Sequence, residues 1–238
     1  MLNELGDAMS RPLDSQELSP PFALSLRSKR ADHDTPQFAI KRGFDFTAGL
    51  VLLFLLAPLM LLIIVLIRAG DGGPAFYRQT RIGRGGRAFR CWKFRTMACN
   101  SDEALRQILA SDPTAAREWA ENQKLTHDPR VTPVGVFLRR SSLDELPQLF
   151  NIVVGDMSFV GPRPIVAAER ERYGEAFSHC FSVPPGLTGL WQVSGRSDCS
   201  YATRISLDSQ YVSEWHLLLD AKILMRTVPA VLTQKGSR

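Results

Sequence analysis

The chain has 238 residues, 45% of them hydrophobic, enough for one globular domain beside a membrane segment but hardly for two. Its 29 lysines and arginines against 24 acidic residues leave a formal charge of +5, which suits a phosphate-rich partner: an anionic lipid, a nucleotide or a nucleic acid. Cys91, Cys99, Cys180 and Cys199 form no CxxC pair and no metal-ligand spacing with the four histidines, which argues against both a disulfide framework and a cysteine-built metal site.

Residues 1–36 are rich in Ser, Pro, Asp and Glu, lack apolar periodicity and read as a disordered tail. Lys41-Arg42-Gly43-Phe44-Asp45 follows. Its two cations suit lipid phosphates, whereas Asp45 would be repelled by an anionic surface and is expected to pair with a nearby arginine. Phe46 to Ile67 carries no charge, a run of about 22 residues where about 20 suffice to cross a hydrocarbon core. It begins too far from Met1 and is too long for a signal-peptide core. Pro58, near its middle, removes a backbone hydrogen bond and predicts a kink. Both flanks are basic, with Lys29, Arg30, Lys41 and Arg42 before and Arg68, Arg78, Arg81 and Arg84 after, so both qualify for the cytoplasmic side. A helix that enters, bends at Ala57-Pro58 and leaves by the same face satisfies both; on these residues a kinked single pass also stays open.

Beyond the turn-rich exit 69–74, Phe76 to Gln79 and Ala88 to Arg95 read as two strands of a hairpin joined by a basic, glycine-rich turn. Period-two alternation puts Arg90, Trp92 and Phe94 on one face and Cys91, Lys93 and Arg95 on the other, where Lys93 and Arg95 would suit a diphosphate. The GxxxxGK[ST] spacing of a P-loop is absent. Residues 101–124 have helical spacing broken by Pro113, and 127–133 form an irregular connector. Then come Arg139-Arg140 and the run SSLDELPQLFN. Ser142 and Glu145 fit a capping box, but Pro147 favours a helix starting one or two residues later, with Asp144 at or beside its N-cap. Asp144 and Glu145 could simply cap a helix. Arginines beside a carboxylate pair point instead to phosphate handling. Residues 211–232 carry apolar residues at helical spacing, suiting either a helix in the headgroup layer or a core helix.

The run SSLDELPQLFNI, followed by GDMSFVGPRP and PGLTGLWQVSGR, resembles the bacterial sugar transferase family of monotopic phosphoglycosyl transferases, above all its short undecaprenyl-phosphate galactose phosphotransferases of exopolysaccharide synthesis. The likeness extends from about Lys41 to the C-terminus and includes Lys41-Arg42-x-x-Asp45, Lys93-Phe94-Arg95-Thr96-Met97 and Asp128-Pro129-Arg130-Val131-Thr132. It implies transfer of a hexose-1-phosphate, galactose or glucose, from a UDP-sugar to undecaprenyl phosphate with release of UMP. Asp144 would be the nucleophile and Glu145 its partner, with Mg²⁺ at Asp144. Lys93, Arg95, Arg139, Arg163, Gly189, Gln192 and Arg196 would bind substrate, and Lys41, Arg42, Asp45 and Pro58 would anchor the membrane helix. The chemistry is consistent: one phosphoanhydride is broken and another made, and two polyanionic substrates need charge neutralised around a carboxylate.

The implied architecture is mainly α with a small β-hairpin: a membrane-associated monotopic protein with a kinked re-entrant N-terminal helix and amphipathic interfacial helices. Residues 1–36 would be a disordered tail, 37–68 the re-entrant membrane helix and 69–238 a cytoplasmic catalytic domain with interfacial helices. It would work on the cytoplasmic face of the bacterial inner membrane, with membrane lipid, UDP-sugar and undecaprenyl phosphate as partners, and a homo-oligomer is allowed. Ala57 departs from the serine many relatives carry before the proline. No helix-turn-helix, zinc-finger or RNP signature is present, so nucleic acid is not expected. An N-acetylated amino sugar as the group transferred, a glycosyltransferase releasing UDP, and a noncatalytic membrane adaptor are the competing readings.

Overall fold

The computed structural model describes residues 36–122, 125–126, 128–194 and 200–232. The predicted tail, apart from Pro36, and the predicted ligand Arg196 lie outside the described residues. The apolar run belongs to one helix, α1 (Pro36–Asp71), with Pro58 inside it. At 1.5 Å per residue it would be about 54 Å long if straight. Only 17% of its most apolar window is buried against the rest of the chain, so it is no soluble core helix and is built to face an apolar solvent. Its two ends nevertheless pack on the same body.

β1 (Phe76–Ile82) and β2 (Ala88–Phe94) form the expected antiparallel hairpin, pairing Tyr77 with Lys93, Gln79 with Cys91 and Arg81 with Phe89. The link between them closes because Gly85 and Gly86 take φ of 65° and 76°, a region glycine enters freely. The helical stretch after it is two helices, α2 (Ser101–Ser111) and α3 (Pro113–Asn122). Asp112 restarts the second by accepting bonds from the Thr114 and Ala115 amides. α4 (Pro133–Arg140) is capped by Thr132. A 3₁₀ turn, Leu143–Glu145, leads into α5 (Gln148–Val154), which ends on Gly155 in the left-handed region.

β3 (Ser158–Val160) pairs in parallel with β4 (Gly186–Thr188), a second small sheet the sequence did not announce. Between and after these strands run α6 (Arg170–Tyr173), α7 (Ala176–Cys180), α8 (Leu190–Ser194), α9 (Tyr201–Ser213) and α10 (Leu217–Leu232). The single helix expected over 211–232 is therefore two. The chain breaks at residues 214–216, where the Glu214 carbonyl meets His216 Nδ1. α10 buries Ile223 while Leu218 and Met225 stay exposed.

One apolar cluster, built on Ile152, Phe159, Val160, Tyr211 and Ile223, takes the first half of α1 through Phe38, Leu52 and Leu56. Gly49 lets α1 run close to α5: a Cβ there would sit 3.1 Å from Val153 Cγ2. A second cluster gathers Met60, Ile63 and Ile67 of α1 with Phe94, Leu138 and Ala75, flanked by Leu143 and Leu146.

The basic lip of α1 is folded into the protein. Lys41 Nζ is 2.5 Å from Asp220 Oδ2 and donates to the Val160 carbonyl at 3.0 Å. Tyr211 donates to the other Asp220 oxygen at 2.8 Å. Arg42 donates to the Ile152 and Val153 carbonyls, both at 2.6 Å, at the C-terminal end of α5. Asp45 accepts from the Phe159 amide at 3.1 Å, and the charge that steadies it is Lys41, not the arginine expected. The hydrogen bonds from Lys41, Tyr211 and the Phe159 amide offset the desolvation of these buried charges, and removing one partner would leave another uncompensated.

Candidate active site

Three elements converge on the Asp144–Glu145 pair. The first is the 3₁₀ turn itself. Ser142, which precedes it, holds φ 57°, the one non-glycine residue with positive φ among the described residues. That left-handed step reverses the chain as it leaves α4. It also undoes the predicted capping: Ser142 makes no side-chain cap, α5 begins at Gln148 with Pro147 in the N-cap position, and Asp144 stands on a turn of its own upstream. The turn is held by Leu143 and Leu146, which pack on the Met60 cluster and leave the two carboxyl groups facing the hairpin.

The second element is the inner face of the hairpin. Lys93 Nζ lies 2.6 Å from Glu145 Oε1 and 3.8 Å from Asp144 Oδ2. Arg81 falls on the same face by register. It donates to Gln79 Oε1 at 2.6 Å and to the Pro164 carbonyl at 3.3 Å. The third element is the segment that runs from the end of β3 through β4 into α8: Arg163 follows β3 and stacks over Trp191 of α8 at 5.6 Å, and Gln192 of α8 donates its amide to the Leu187 carbonyl at 3.1 Å. Lys93, Glu145, Gln148, Arg81, Arg163 and Gln192 line one cleft of only about 20 Å³.

The electrostatics separate the two carboxyls. Burial, with Glu145 adding to it, pushes Asp144 up to about 6 against the pull of Lys93 and Arg139. Burial would raise Glu145 as well, but Lys93, Arg163 and Arg81 outweigh it and hold it below the ordinary carboxylate range. Glu145 is thus the committed anion, locked on Lys93. Asp144 is ionised at neutral pH yet weakly solvated, and no other side chain donates a hydrogen bond to it among the described residues. A carboxylate so placed is chemically able to act as a nucleophile. Burial first, and then the neighbouring Arg163, lower Arg81, as expected where guanidinium groups crowd without enough carboxylate between them.

The other residues singled out in the sequence fall as follows. Arg139 donates from Nε to Thr96 Oγ1 at 2.9 Å, close enough in charge to stabilise the Asp144 anion. Arg95 does not join the cleft. It ion-pairs with Asp71 at the end of α1 and donates to Cys99 Sγ at 2.7 Å. Asp71 is the last residue of α1 and lies beside the end of β2, where it pairs with the cation the alternation had assigned to the diphosphate. Gly189 contributes space: a Cβ there would collide with the Gly161 carbonyl and lie 2.8 Å from Gln192 Oε1. Lys41, Arg42 and Asp45 sit at the α1 lip and Pro58 near its midpoint, away from the cleft. Arg81 and Gln148 were not singled out as ligands. Arg81 could have been, once Gln79 is set opposite Cys91 and the alternation is carried to the hairpin's far end.

Among the described residues no group of three or more His, Cys, Asp or Glu is placed to hold a metal. The donor set still suits Mg²⁺, which uses one or two carboxylates and takes its other ligands from phosphates and water. Asp144, the more loosely held of the two by Lys93, would be the carboxylate to offer it.

A family model described as bacterial sugar transferase matches residues 36–234. The exopolysaccharide production protein ExoY of Rhizobium meliloti is 52% identical over 197 residues, which cover 83% of this chain and 87% of that protein. The undecaprenyl-phosphate galactose phosphotransferase of Salmonella typhimurium is 50% identical over 198 residues, again 83% of this chain but 41% of that longer protein. The UDP-glucose:undecaprenyl-phosphate glucose-1-phosphate transferase of Caulobacter vibrioides is 39% identical over 240 residues, 96% of this chain and 82% of that one.

Proposed function

The chain belongs to the bacterial sugar transferase family, and from that premise we propose that it moves a hexose-1-phosphate, galactose or glucose, from a UDP-sugar to undecaprenyl phosphate through a covalent phospho-sugar on Asp144. The observation that carries this reading is the division of labour between the two carboxyls: Glu145 held by Lys93 at 2.6 Å, Asp144 raised to about 6 and only loosely paired with the same ammonium at 3.8 Å.

In the first step an Asp144 oxygen attacks the β-phosphorus of the UDP-sugar. The phosphoanhydride bond to the α-phosphate breaks, UMP leaves with the bonding pair, and an acyl phosphate joins Asp144 to the sugar phosphate. In the second step an oxygen of the lipid phosphate attacks that phosphorus, and the acyl-phosphate bond breaks to return the Asp144 carboxylate. Each step exchanges one P–O bond for another, and no external proton is required. Lys93, Arg81 and Arg163 hold positive charge where the five-coordinate phosphorus gains negative charge. Mg²⁺, held by Asp144 and the diphosphate, would supply further charge neutralisation there.

The re-entrant placement of α1 is part of the proposal, with its apolar middle in the lipid of the inner membrane and the cleft on the cytoplasmic side. Its support is that both ends of the helix are tied to one body, Lys41 to Asp220 at one end and Asp71 to Arg95 at the other. A straight crossing would put these anchors on opposite sides of about 30 Å of hydrocarbon. The exposed Leu218 and Met225 on α10, with Lys222 between them, suit the headgroup layer.

The test is incubation of the nanodisc-embedded protein with β-³²P-labelled UDP-galactose or UDP-glucose and Mg²⁺, without lipid acceptor. UMP release with label retained on the wild type, and neither on Asp144→Asn, is the expected result. Release of UDP, or normal turnover by Asp144→Asn, would overturn the proposal.

A further inference from the structure

Behind the charged cleft, Trp191 Nε1, Arg204 Nε and Nη2, and Asp208 Oδ1 are buried and meet no hydrogen-bond partner among the described residues. Arg204 is 9% exposed and Asp208 1%, so bulk water does not satisfy them. Nearly all buried polar groups are paired, and an unpaired one costs about 1–3 kcal/mol. Several such atoms in one place point to a ligand.

The atoms form one group. Arg204 and Asp208 stand four residues apart on α9, the spacing that commonly pairs opposite charges. Yet Arg204 Nη1 donates to Glu169 Oε1 at 3.5 Å, and Asp208 Oδ2 accepts from the Tyr173 hydroxyl at 2.9 Å. One edge of each is left over. The Arg204 guanidinium lies 5.1 Å from the Trp191 ring, so the indole N–H belongs to the same neighbourhood.

This group adjoins the cleft at two points. Arg163, which lines the cleft, lies over the same indole at 5.6 Å. Glu169 links Arg204 to Arg81, a second cleft cation, whose Nη1 is 3.9 Å away. In the proposed reaction the cleft holds the β-phosphate of a UDP-sugar. The hexose is bonded directly to that phosphate, whereas the uracil stands beyond a second phosphate and a ribose. The part of the substrate that reaches past Arg163 is therefore the sugar. Its hydroxyls also fit the count of unpaired atoms, because each donates one hydrogen bond and accepts two. A single water accepts two, too few for the three nitrogens left unpaired. Two neighbouring hydroxyls serve all three and still donate to Asp208. Burial, opposed by the Tyr173 hydrogen bond and Arg204, pushes Asp208 up to about 7, so it can meet a hydroxyl as acceptor or as donor.

We propose that Trp191, Arg204 and Asp208 read two adjacent hydroxyls of the transferred hexose and so select the sugar. The assignment rests on the transfer reaction proposed above. Drawn to the β-phosphate, the half-buried Arg163 leaves the indole and opens the way for the sugar.

Two measurements test this on the full chain in nanodiscs. The first is calorimetry with UDP and with analogues of UDP-galactose and UDP-glucose that carry a methylene group between the two phosphorus atoms. Trp191→Phe keeps an aromatic ring without the N–H. Asp208→Asn keeps an oxygen for the Tyr173 hydroxyl and puts a donor where the free acceptor stood. Each should weaken the better-bound sugar analogue about tenfold, the worth of one hydrogen bond, and leave UDP affinity unchanged. Equal weakening of UDP assigns the group to the nucleotide and refutes the inference. Unchanged affinity for the sugar analogues assigns it to internal water and refutes it too.

The second measurement uses wild type alone, so it does not depend on a variant's folding. UDP-hexoses lacking one hydroxyl at a time are compared by UMP release in the first half-reaction. Losses in kcat/KM of about tenfold or more should fall on two adjacent positions, because a site built to bond a hydroxyl rejects the analogue without it. An even loss around the ring, or none, overturns the inference. A wild type that shows the expected preference among the methylene analogues but releases UDP from the natural substrate fails the transfer reaction and leaves the sugar subsite standing.

Discussion

Replacing Lys93 by Met removes the cation shared by the two carboxyls and leaves the rest of the hairpin face in place. Lys93 Nζ stands 3.8 Å from Asp144 Oδ2. At that separation, with an effective dielectric near 20, a unit pair is worth about 4 kcal/mol. Both side chains keep some solvent contact, 22% and 14%, and Arg139 remains, so about half of this is the reasonable loss, on the order of 2 kcal/mol. At 1.36 kcal/mol per unit, that lifts Asp144 from about 6 to about 7.5. Lys93 favours the anion, so its removal raises the carboxyl's pKa, and the ionised nucleophile is lost at a higher pH than before. The assay is the pH dependence of UMP release in the first half-reaction, from pH 5 to 9. The acid limb should move up by about 1.5 units. From ionisation alone, the deficit relative to wild type should be about 16-fold at pH 6, about fourfold at pH 7, and nearly absent at pH 9, on top of any pH-independent loss of substrate binding. Lys93→Arg should keep the limb near 6. A limb that stays at 6 in Lys93→Met, or moves down, means that the pair is not governed by this cation, and the nucleophile assignment loses its physical basis.

Lys41→Met strands Asp220 in the protein interior and should cost about 3–5 kcal/mol. Thermal unfolding in nanodiscs measures this, and adding Asp220→Asn should return part of the loss. Ser142→Gly should keep full activity and match or exceed wild-type stability. Ser142→Val forces a β-branched residue into the left-handed region at a cost of about 1–3 kcal/mol and should slow the first half-reaction, because the turn aims Asp144. Gly189→Ala drives a methyl group into the Gly161 carbonyl and Gln192, so the KM for the UDP-sugar should rise and the melting temperature fall, consistent with overpacking costs of about 1–3 kcal/mol.

What could be read from the chain beforehand was whatever has a short repeat or a strong local exclusion. The apolar run gave α1, because no other arrangement of 22 uncharged residues is so cheap in lipid. The alternation from Arg90 to Arg95 gave the face that Lys93 presents, because a strand's period is two. Pro113 marked the break between α2 and α3, while the Asp112 side chain that caps the second helix went unread. The neighbours contributed by distant segments were hidden. Asp71 and Arg95 meet only after the hairpin closes, and the pull of Asp71 overrides the alternation. The β3–β4 pair has three residues per strand, too short for a period to show, and it joins segments 28 residues apart by backbone bonds that leave no side-chain signature. The break between α9 and α10 escaped because apolar residues on both sides keep helical spacing through 214–216. Arg81 was visible as a basic residue in a turn. Its place in the cleft followed only from the hairpin's register.

Arg42 grips the last carbonyls of α5, and α5 is the helix that leaves the Asp144 turn. Together with the Lys41–Asp220 pair, that grip ties the start of α1 to the segment that carries Asp144, so in the proposed placement the helix in the lipid and the carboxylate would move together. Under the proposed mechanism the altitude of the chemistry above the oil would be set by protein geometry and not by bilayer thickness. Thinner or thicker lipid should change how snugly the protein floats, and the carboxylate should float with it.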